Sequence, residues 1–169
     1  MRSGLSRRQL LGAGAAATAG AAVAFSADDA EGATSPYPRL RVVSLSRLRV
    51  NRPVDFMYPL STQPNVLIDM GHKVPGGVGP KSSIVAYSIL CQHMGCPVAY
   101  SKSNRELICP CHQTRYDPER LASIVQGVAT RALPRVLLAV RDGNVYAVGV
   151  DGLIYGYRKN LAPGKKVAS

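Results

Sequence analysis

The strongest constraint on this chain is a pair of short motifs in which Cys and His recur at fixed spacing. The first reads Cys91-Gln92-His93-Met94-Gly95-Cys96 and the second Cys109-Pro110-Cys111-His112. Together they give C-x-H, fifteen intervening residues, then C-x-x-H. All four Cys of the chain lie between residues 91 and 111. Thiolates and imidazoles concentrated in this way are metal ligands. Two such segments act on one metal centre only if a scaffold holds both at the same end of the fold.

Two centres take two Cys and two His. Structural zinc does so in a tetrahedral site. Zinc ribbons and fingers, however, usually pair C-x2-4-C with H-x3-5-H or with a second Cys pair. Here each motif supplies one Cys and one His, C-x-H is tight for a finger knuckle, and Cys96 and Cys111 would stand idle. The other centre is a [2Fe–2S] cluster with Cys91 and Cys109 on one iron and His93 and His112 on the other. Iron–sulfur proteins are known to use this mixed ligand set. Two neutral imidazoles in place of two thiolates make such a cluster less negative, so it accepts an electron more readily. Cys96 and Cys111 then remain, either as a disulfide tying the two ligand loops together or as two buried thiols. A disulfide requires an oxidising compartment.

The N-terminus bears on that compartment. Arg2, Arg7 and Arg8 form a basic start, and Leu10–Phe25 is a sixteen-residue run of Leu, Ala, Gly, Val and Phe with one Thr. The run is shorter than the roughly 20 apolar residues of a comfortable transmembrane helix. Ala22-Val23-Ala24 and Ala24-Phe25-Ser26 both suit cleavage, and Ser6-Arg7-Arg8-Gln9-Leu10-Leu11 has the twin-arginine form. Residues 1–30 are therefore expected to be an export signal, cleaved or kept as an anchor, and the folded part to be periplasmic. Residues 31–169 suffice for one domain with its own core.

The formal charge is +11, of which residues 1–30 supply only +1. Nucleic acid is one partner for such a charge. Yet the Arg residues are scattered and no nucleic-acid motif occurs, so an acidic redox partner or subunit fits better. The local signals are those of strands. Leu40–Val50 alternates apolar residues with Arg or Ser, and Asp55–Tyr58, Val66–Asp69 and Ser83–Leu90 are short runs rich in β-branched and aromatic residues. Val136–Val140 and Val145–Val150 flank the hairpin signal Asp142-Gly143-Asn144. A short helical turn is expected around Pro118–Ile124. Several short strands with Pro- and Gly-rich turns predict an all-β, antiparallel sandwich or barrel. The ligand motifs follow strand-like Ile84–Leu90 and Glu106–Ile108, which places them on two loops of a small lobe inserted at about 85–135. Met94, Gly95 and Pro110 suit such loops, and Met94 is expected to cover the metal centre.

The two motifs resemble the ligand boxes of Rieske iron–sulfur proteins of the disulfide-containing kind, which often read C-T-H-L-G-C and C-P-C-H-G-S-x-Y-D. The resemblance implies a Rieske fold, Cys91, His93, Cys109 and His112 as ligands, and a Cys96–Cys111 disulfide. This chain continues His112-Gln113-Thr114-Arg115-Tyr116-Asp117. Thr114 keeps the hydroxyl of the family's Ser, and Tyr116 stands at the family's Tyr. In the family these hydroxyls donate to cluster sulfur and raise the potential. Gln113 replaces the family's Gly, so a different backbone curve is expected there.

Over nearly all of residues 31–169 the chain is more specifically similar to the small Rieske subunit of arsenite oxidases. That similarity rests on Val74-Pro75-Gly76-Gly77-Val78-Gly79-Pro80, Ile84–Cys91, Leu133-Pro134-Arg135-Val136-Leu137-Leu138 and Val148–Gly156. It implies electron transfer from a molybdenum-pterin large subunit to a c-type cytochrome or small copper protein, with no substrate chemistry on this chain. A Rieske subunit of a quinol:cytochrome c oxidoreductase shares the ligand boxes but is expected to keep an anchor and a hinge. Here Ala27–Tyr37 is the candidate hinge. His72, the remaining His, has no nucleophile or ligand pair near it in sequence and is read as a surface residue.

Overall fold

The computed structural model describes residues 36–162; the export segment expected at residues 1–30 lies outside them. Ten strands form two antiparallel sheets. They are β1 (Leu40–Ser44), β2 (Val54–Met57), β3 (Pro64–Asp69), β4 (Ile84–Ser88), β5 (Ala99–Ser101), β6 (Glu106–Ile108), β7 (Arg115–Asp117), β8 (Ser123–Gln126), β9 (Arg135–Arg141) and β10 (Asn144–Asp151). The larger sheet has the order β1-β10-β9-β4-β3-β2, and the smaller has the order β5-β6-β7-β8. The all-β antiparallel class expected from the sequence is the observed one.

The apolar run of β4 explains how the sheets meet. All five of its residues are buried, so no inward/outward alternation marks its sequence. Val85 and Tyr87 face one core, shared with Leu107, Cys109 and Tyr116 of the smaller sheet. Ile84 and Ala86 face a second core, shared with Val136, Val145, Ala147 and Ile154. β3 divides in the same way, with Val66 and Ile68 on the first side and Leu67 on the second. The two central strands therefore serve as a common wall for both cores. Each fully buried aliphatic side chain on that wall contributes roughly 1.5–3 kcal/mol. The Tyr87 hydroxyl crosses from the wall to the smaller sheet and donates to the Pro118 carbonyl at 2.8 Å.

The strand expected over Leu40–Val50 is shorter than its alternation suggests. It ends at Ser44 and passes into a 3-10 turn over Leu45–Arg47. Leu45 and Leu48 stand three residues apart, one such turn, which aims both at the second core. The expected hairpin joins β9 to β10, and a 3-10 turn at Pro118–Arg120 occupies the start of the helical stretch expected over Pro118–Ile124, whose last two residues belong to β8. The three- and four-residue strands β5, β7 and β8 have no sequence signal of their own. They form because their neighbours in the smaller sheet supply the hydrogen bonds.

Candidate metal centre

Each ligand motif is closed by its own backbone. The first loop springs from β4: Leu90 and Pro97 form a bridge, the Cys91 N–H donates to the Cys96 carbonyl at 3.0 Å, and the Gly95 N–H donates to the Cys91 carbonyl at 2.8 Å. The second spans β6 to β7 and closes with the Cys109 N–H on the Thr114 carbonyl at 2.8 Å. Gly95 has φ +76° and lies against the Tyr155 ring; a Cβ there would fall 2.6 Å from Cδ1. Gln113, where the sequence suggests a different curve, holds φ 54° in the left-handed region that glycine favours. The curve is retained without the glycine.

The two loops are bonded to each other. Cys96 and Cys111 form a disulfide across fifteen residues, which selects between the two alternatives open in the sequence. The Cys109 sulfur lies within 4.8 Å of both disulfide sulfurs, but sulfurs bonded to each other have no thiolate to offer a metal. Replacing Cys96 and Cys111 together with Ser is expected to lower stability by about 3 kcal/mol, the loop-closure entropy for a crosslink of this length. Denaturant unfolding of the cluster-loaded protein measures it, and an unchanged midpoint would show that the loops hold together without the bond.

The remaining four residues separate by depth. Cys91 and Cys109 are free thiols, each 1% exposed. His93 and His112 sit outside them, with their Nδ1 atoms 3.3 Å apart and their rings edge to face. One tetrahedral metal ion with imidazole bonds of roughly 2.0–2.1 Å spans about that nitrogen separation. The pair is therefore spaced as two ligands of one ion would be. Among the described residues, Cys91, Cys109, His93 and His112 do not gather as a group within 4.8 Å. One tetrahedral zinc at about 2.0–2.3 Å from each ligand would require that. Thiols inside and imidazoles outside fit a two-iron unit instead.

Two hydroxyls reinforce the fit. Thr114 is fully buried, yet its Oγ1 has no hydrogen-bond partner in the protein. A buried hydroxyl left unpaired costs about 1–3 kcal/mol, and a cluster sulfide is the acceptor this position lacks. The end of β8 presses against it: a Cβ on Gly127, at φ +111°, would lie 2.6 Å from Oγ1. Tyr116, also fully buried, has its hydroxyl 3.2 Å from Cys91 Sγ. The same oxygen accepts from the Gln92 N–H at 3.2 Å, which leaves the phenol hydrogen free to point at sulfur. Burial first, and then the bond to Cys91, push this phenol's pKa well above its ordinary range. It therefore stays a donor at neutral pH. Gly127 and the Tyr155 ring were not legible as site residues, because each reaches the loops only through tertiary contact; Gln92 lies within the first motif, but its N–H meets the Tyr116 hydroxyl only in the fold.

Other expectations meet the structure differently. Met94 is 62% exposed at the tip of the first loop and so is open to solvent on this chain alone. His72 is a surface residue as read, 3.2 Å from Glu119, which also binds Arg105 at 3.0 Å. Among the described residues no helix is long and apolar enough to cross a membrane.

This fold, with its two free thiols, two facing imidazoles and an inter-loop disulfide, defines a Rieske [2Fe–2S] electron-transfer domain. The family profile described as the Rieske [2Fe-2S] domain matches residues 70–137. Over 165 residues the chain is 39% identical to iodate reductase subunit IdrB of Denitromonas iodatirespirans, covering 95% of this chain and 89% of that protein. The chain belongs to this family of Rieske subunits of oxidoreductases. Similarity to the cytochrome bc1 complex Rieske iron–sulfur subunit of Streptomyces lividans is confined to 68 residues, at 41% identity over 39% of this chain and 40% of that one. The fold resembles the soluble domain of Rieske protein II from Sulfolobus acidocaldarius, with TM-score 0.63 and 24% identity over 77% of this chain and 85% of that one.

Proposed function

We propose that this chain is the electron-transfer subunit of a periplasmic arsenite oxidase. It passes electrons from a molybdenum-pterin catalytic subunit to a c-type cytochrome or small copper protein. The [2Fe–2S] cluster supplies one-electron chemistry when bound. Cys91 and Cys109 would hold one iron of the cluster, and His93 and His112 the other. The buried thiols exclude water from the inner side. The imidazoles form the edge of the site nearest solvent, where an electron enters or leaves over a short distance. The disulfide and the Tyr155 contact at Gly95 keep the first loop in register with the second.

The observation that carries the subunit reading is the breadth of the similarity. The relative named as a reductase subunit aligns with 95% of this chain, whereas the bc1 relative aligns with 39% of it. Arsenite as substrate is supported by the flanking segments 74–80, 84–91, 133–138 and 148–156, which lie mostly outside the ligand boxes. Twin-arginine export is supported by Arg7-Arg8 ahead of the apolar run, and that route suits a protein whose cluster is inserted before export.

Purification of the native chain tests the reading. A molybdenum-containing partner is expected to copurify, and arsenite is expected to reduce the Rieske centre of the complex. Iodate-dependent oxidation of that centre, with no response to arsenite, would assign the complex to iodate reduction. Direct reduction by quinol with no molybdenum partner would assign it to a bc complex. In a complex that still assembles, His112→Ala is expected to slow delivery to the acceptor far more than reduction of the large subunit by arsenite. Stopped-flow spectra resolve the two steps, and full-rate acceptor reduction would make this subunit a scaffold.

A further inference from the structure

Among the described residues four arginines are ion-paired: Arg105 with Glu119, Arg115 with Glu106, Arg120 with Asp117 and Arg135 with Asp151. Other cations are not. Residues 36–54 contain five Arg and no Asp or Glu. Of these, Arg47, Arg49 and Arg52 lie in and just after the 3-10 turn that follows β1, and all three are exposed.

The fold adds further cations to the same end. The Leu45 N–H donates to the Gly143 carbonyl at 2.8 Å, which sets the turn beside the β9–β10 hairpin and its Arg141. Lys81 lines a shallow cleft with Leu45 and Leu48. Asn51 Nδ2 donates to the Lys102 carbonyl at 3.0 Å, which brings in the β5–β6 turn. Arg47, Arg52, Lys81, Lys102 and Arg141 have no ion-pair partner among the described residues. Three carboxylates lie nearby, of which Asp55 is exposed three residues after Arg52. Asp142 is exposed in the hairpin turn, and Asp69 is engaged by the Gly71 N–H and the Ser83 hydroxyl. Arg49 is held in place by two bonds to backbone carbonyls, of Ser46 and Leu48, both at 2.8 Å. Val50, 51% exposed, stands between Arg49 and Arg52.

This pole is remote from the metal centre. β4 starts at Ile84, whose side chain lines the Lys81 cleft, and ends at Ser88, three residues before Cys91. At about 3.3 Å per residue the strand alone separates the two by roughly 13–17 Å. The pole is therefore a holding surface and not an electron port.

We propose that this basic pole docks on an anionic phospholipid surface and leaves the His93–His112 edge facing away from it. Two observations favour lipid over an acidic protein. An exposed apolar side chain sits among the arginines, suited to an interface that is polar outside and apolar below. Twenty-one residues separate the apolar run Leu10–Phe25 from Arg47, the first cation of the pole, so wherever that run is retained in a membrane the pole is tethered near the headgroups.

Each basic residue near such a surface contributes roughly fivefold to partition. The test uses the full, cluster-loaded chain in sedimentation with phosphatidylcholine vesicles, with and without phosphatidylglycerol. It includes the triple variant Arg47→Gln, Arg52→Gln, Arg141→Gln, whose side chains hold no hydrogen bond or ion pair among the described residues that would be lost. Wild type is expected to prefer the phosphatidylglycerol vesicles, and to exceed the variant there by on the order of a hundredfold. High salt should remove the difference, and both should bind pure phosphatidylcholine alike, with the visible spectrum of the variant unchanged. No preference of wild type for phosphatidylglycerol overturns the proposal whatever the variant does. Equal partition of a correctly loaded variant also overturns it. A variant that instead stops copurifying with a catalytic subunit, while wild type ignores anionic vesicles, makes the pole a protein contact.

Discussion

Changing any one of Cys91, His93, Cys109 or His112 to Ala is expected to abolish the [2Fe–2S] cluster, with complete loss of its visible absorption and its electron paramagnetic resonance signal. In the proposed assignment each iron would have two protein ligands, so one substitution would remove half of an iron's attachment to the chain. The thiols and imidazoles are not equivalent in their wider effect. Cys91 and Cys109 belong to the buried core shared with Val85, Tyr87, Leu107 and Tyr116, so their loss also perturbs packing there. His93 and His112 lie outside that core, so their Ala variants should keep native β circular dichroism while losing the cluster. A Cys109→Ala protein that retains a normal Rieske spectrum would refute the assignment.

The second large effect is on the reduction potential. Thr114→Val and Tyr116→Phe should each lower it while leaving the cluster assembled. Both remove a hydroxyl with little change in volume. The extra electron makes the sulfur more negative, so a donor aimed at sulfur stabilises the reduced state more than the oxidised one. A hydrogen bond to a charged group is worth about 1.5–3 kcal/mol. For a one-electron couple about 59 mV corresponds to a tenfold change in equilibrium constant, so shifts of about 60–130 mV are expected. Redox titration followed by circular dichroism measures them. The Tyr116 result is the more direct probe, because its hydroxyl is already 3.2 Å from Cys91 Sγ and its lone pair is engaged by the Gln92 N–H. Thr114 has no partner in the protein, and its variant tests whether a sulfide is its acceptor. Unchanged midpoints in both would show that neither hydroxyl acts on the cluster.

Much of this was legible along the chain because the relevant signals are local. The C-x-H and C-x-x-H spacings are short enough to be set by one loop each, and the Asp142-Gly143 turn is set by its own residues. The apolar runs at 66–69, 136–140 and 145–150 each lie within an observed strand of the larger sheet, and the run expected over Ser83–Leu90 contains β4, Ile84–Ser88. Where the local pattern served two structures, it was less informative. Leu40–Val50 alternates like one strand, but the spacing of Leu45 and Leu48 equally suits a turn, and packing against the second core decided for the turn. The strands β5, β7 and β8 are too short to carry a period, and only their sheet partners define them.

The sequence alone determined the chemistry of the ligands, the antiparallel β class and the presence of two spare cysteines, since these depend on residue type and short-range spacing. The tertiary structure decided which groups meet. It joined Cys96 to Cys111, buried the two free thiols behind the two imidazoles, and brought the Tyr116 hydroxyl to the Cys91 sulfur and the Gln92 N–H across 25 and 24 residues of chain. It also paired Arg105, Arg115, Arg120 and Arg135 with carboxylates and left Arg47, Arg52 and Arg141 of the pole without an ion-pair partner among the described residues. A total charge is fixed by composition, but its direction in space is set by the strand register that carries each side chain to one end of the sheet or the other.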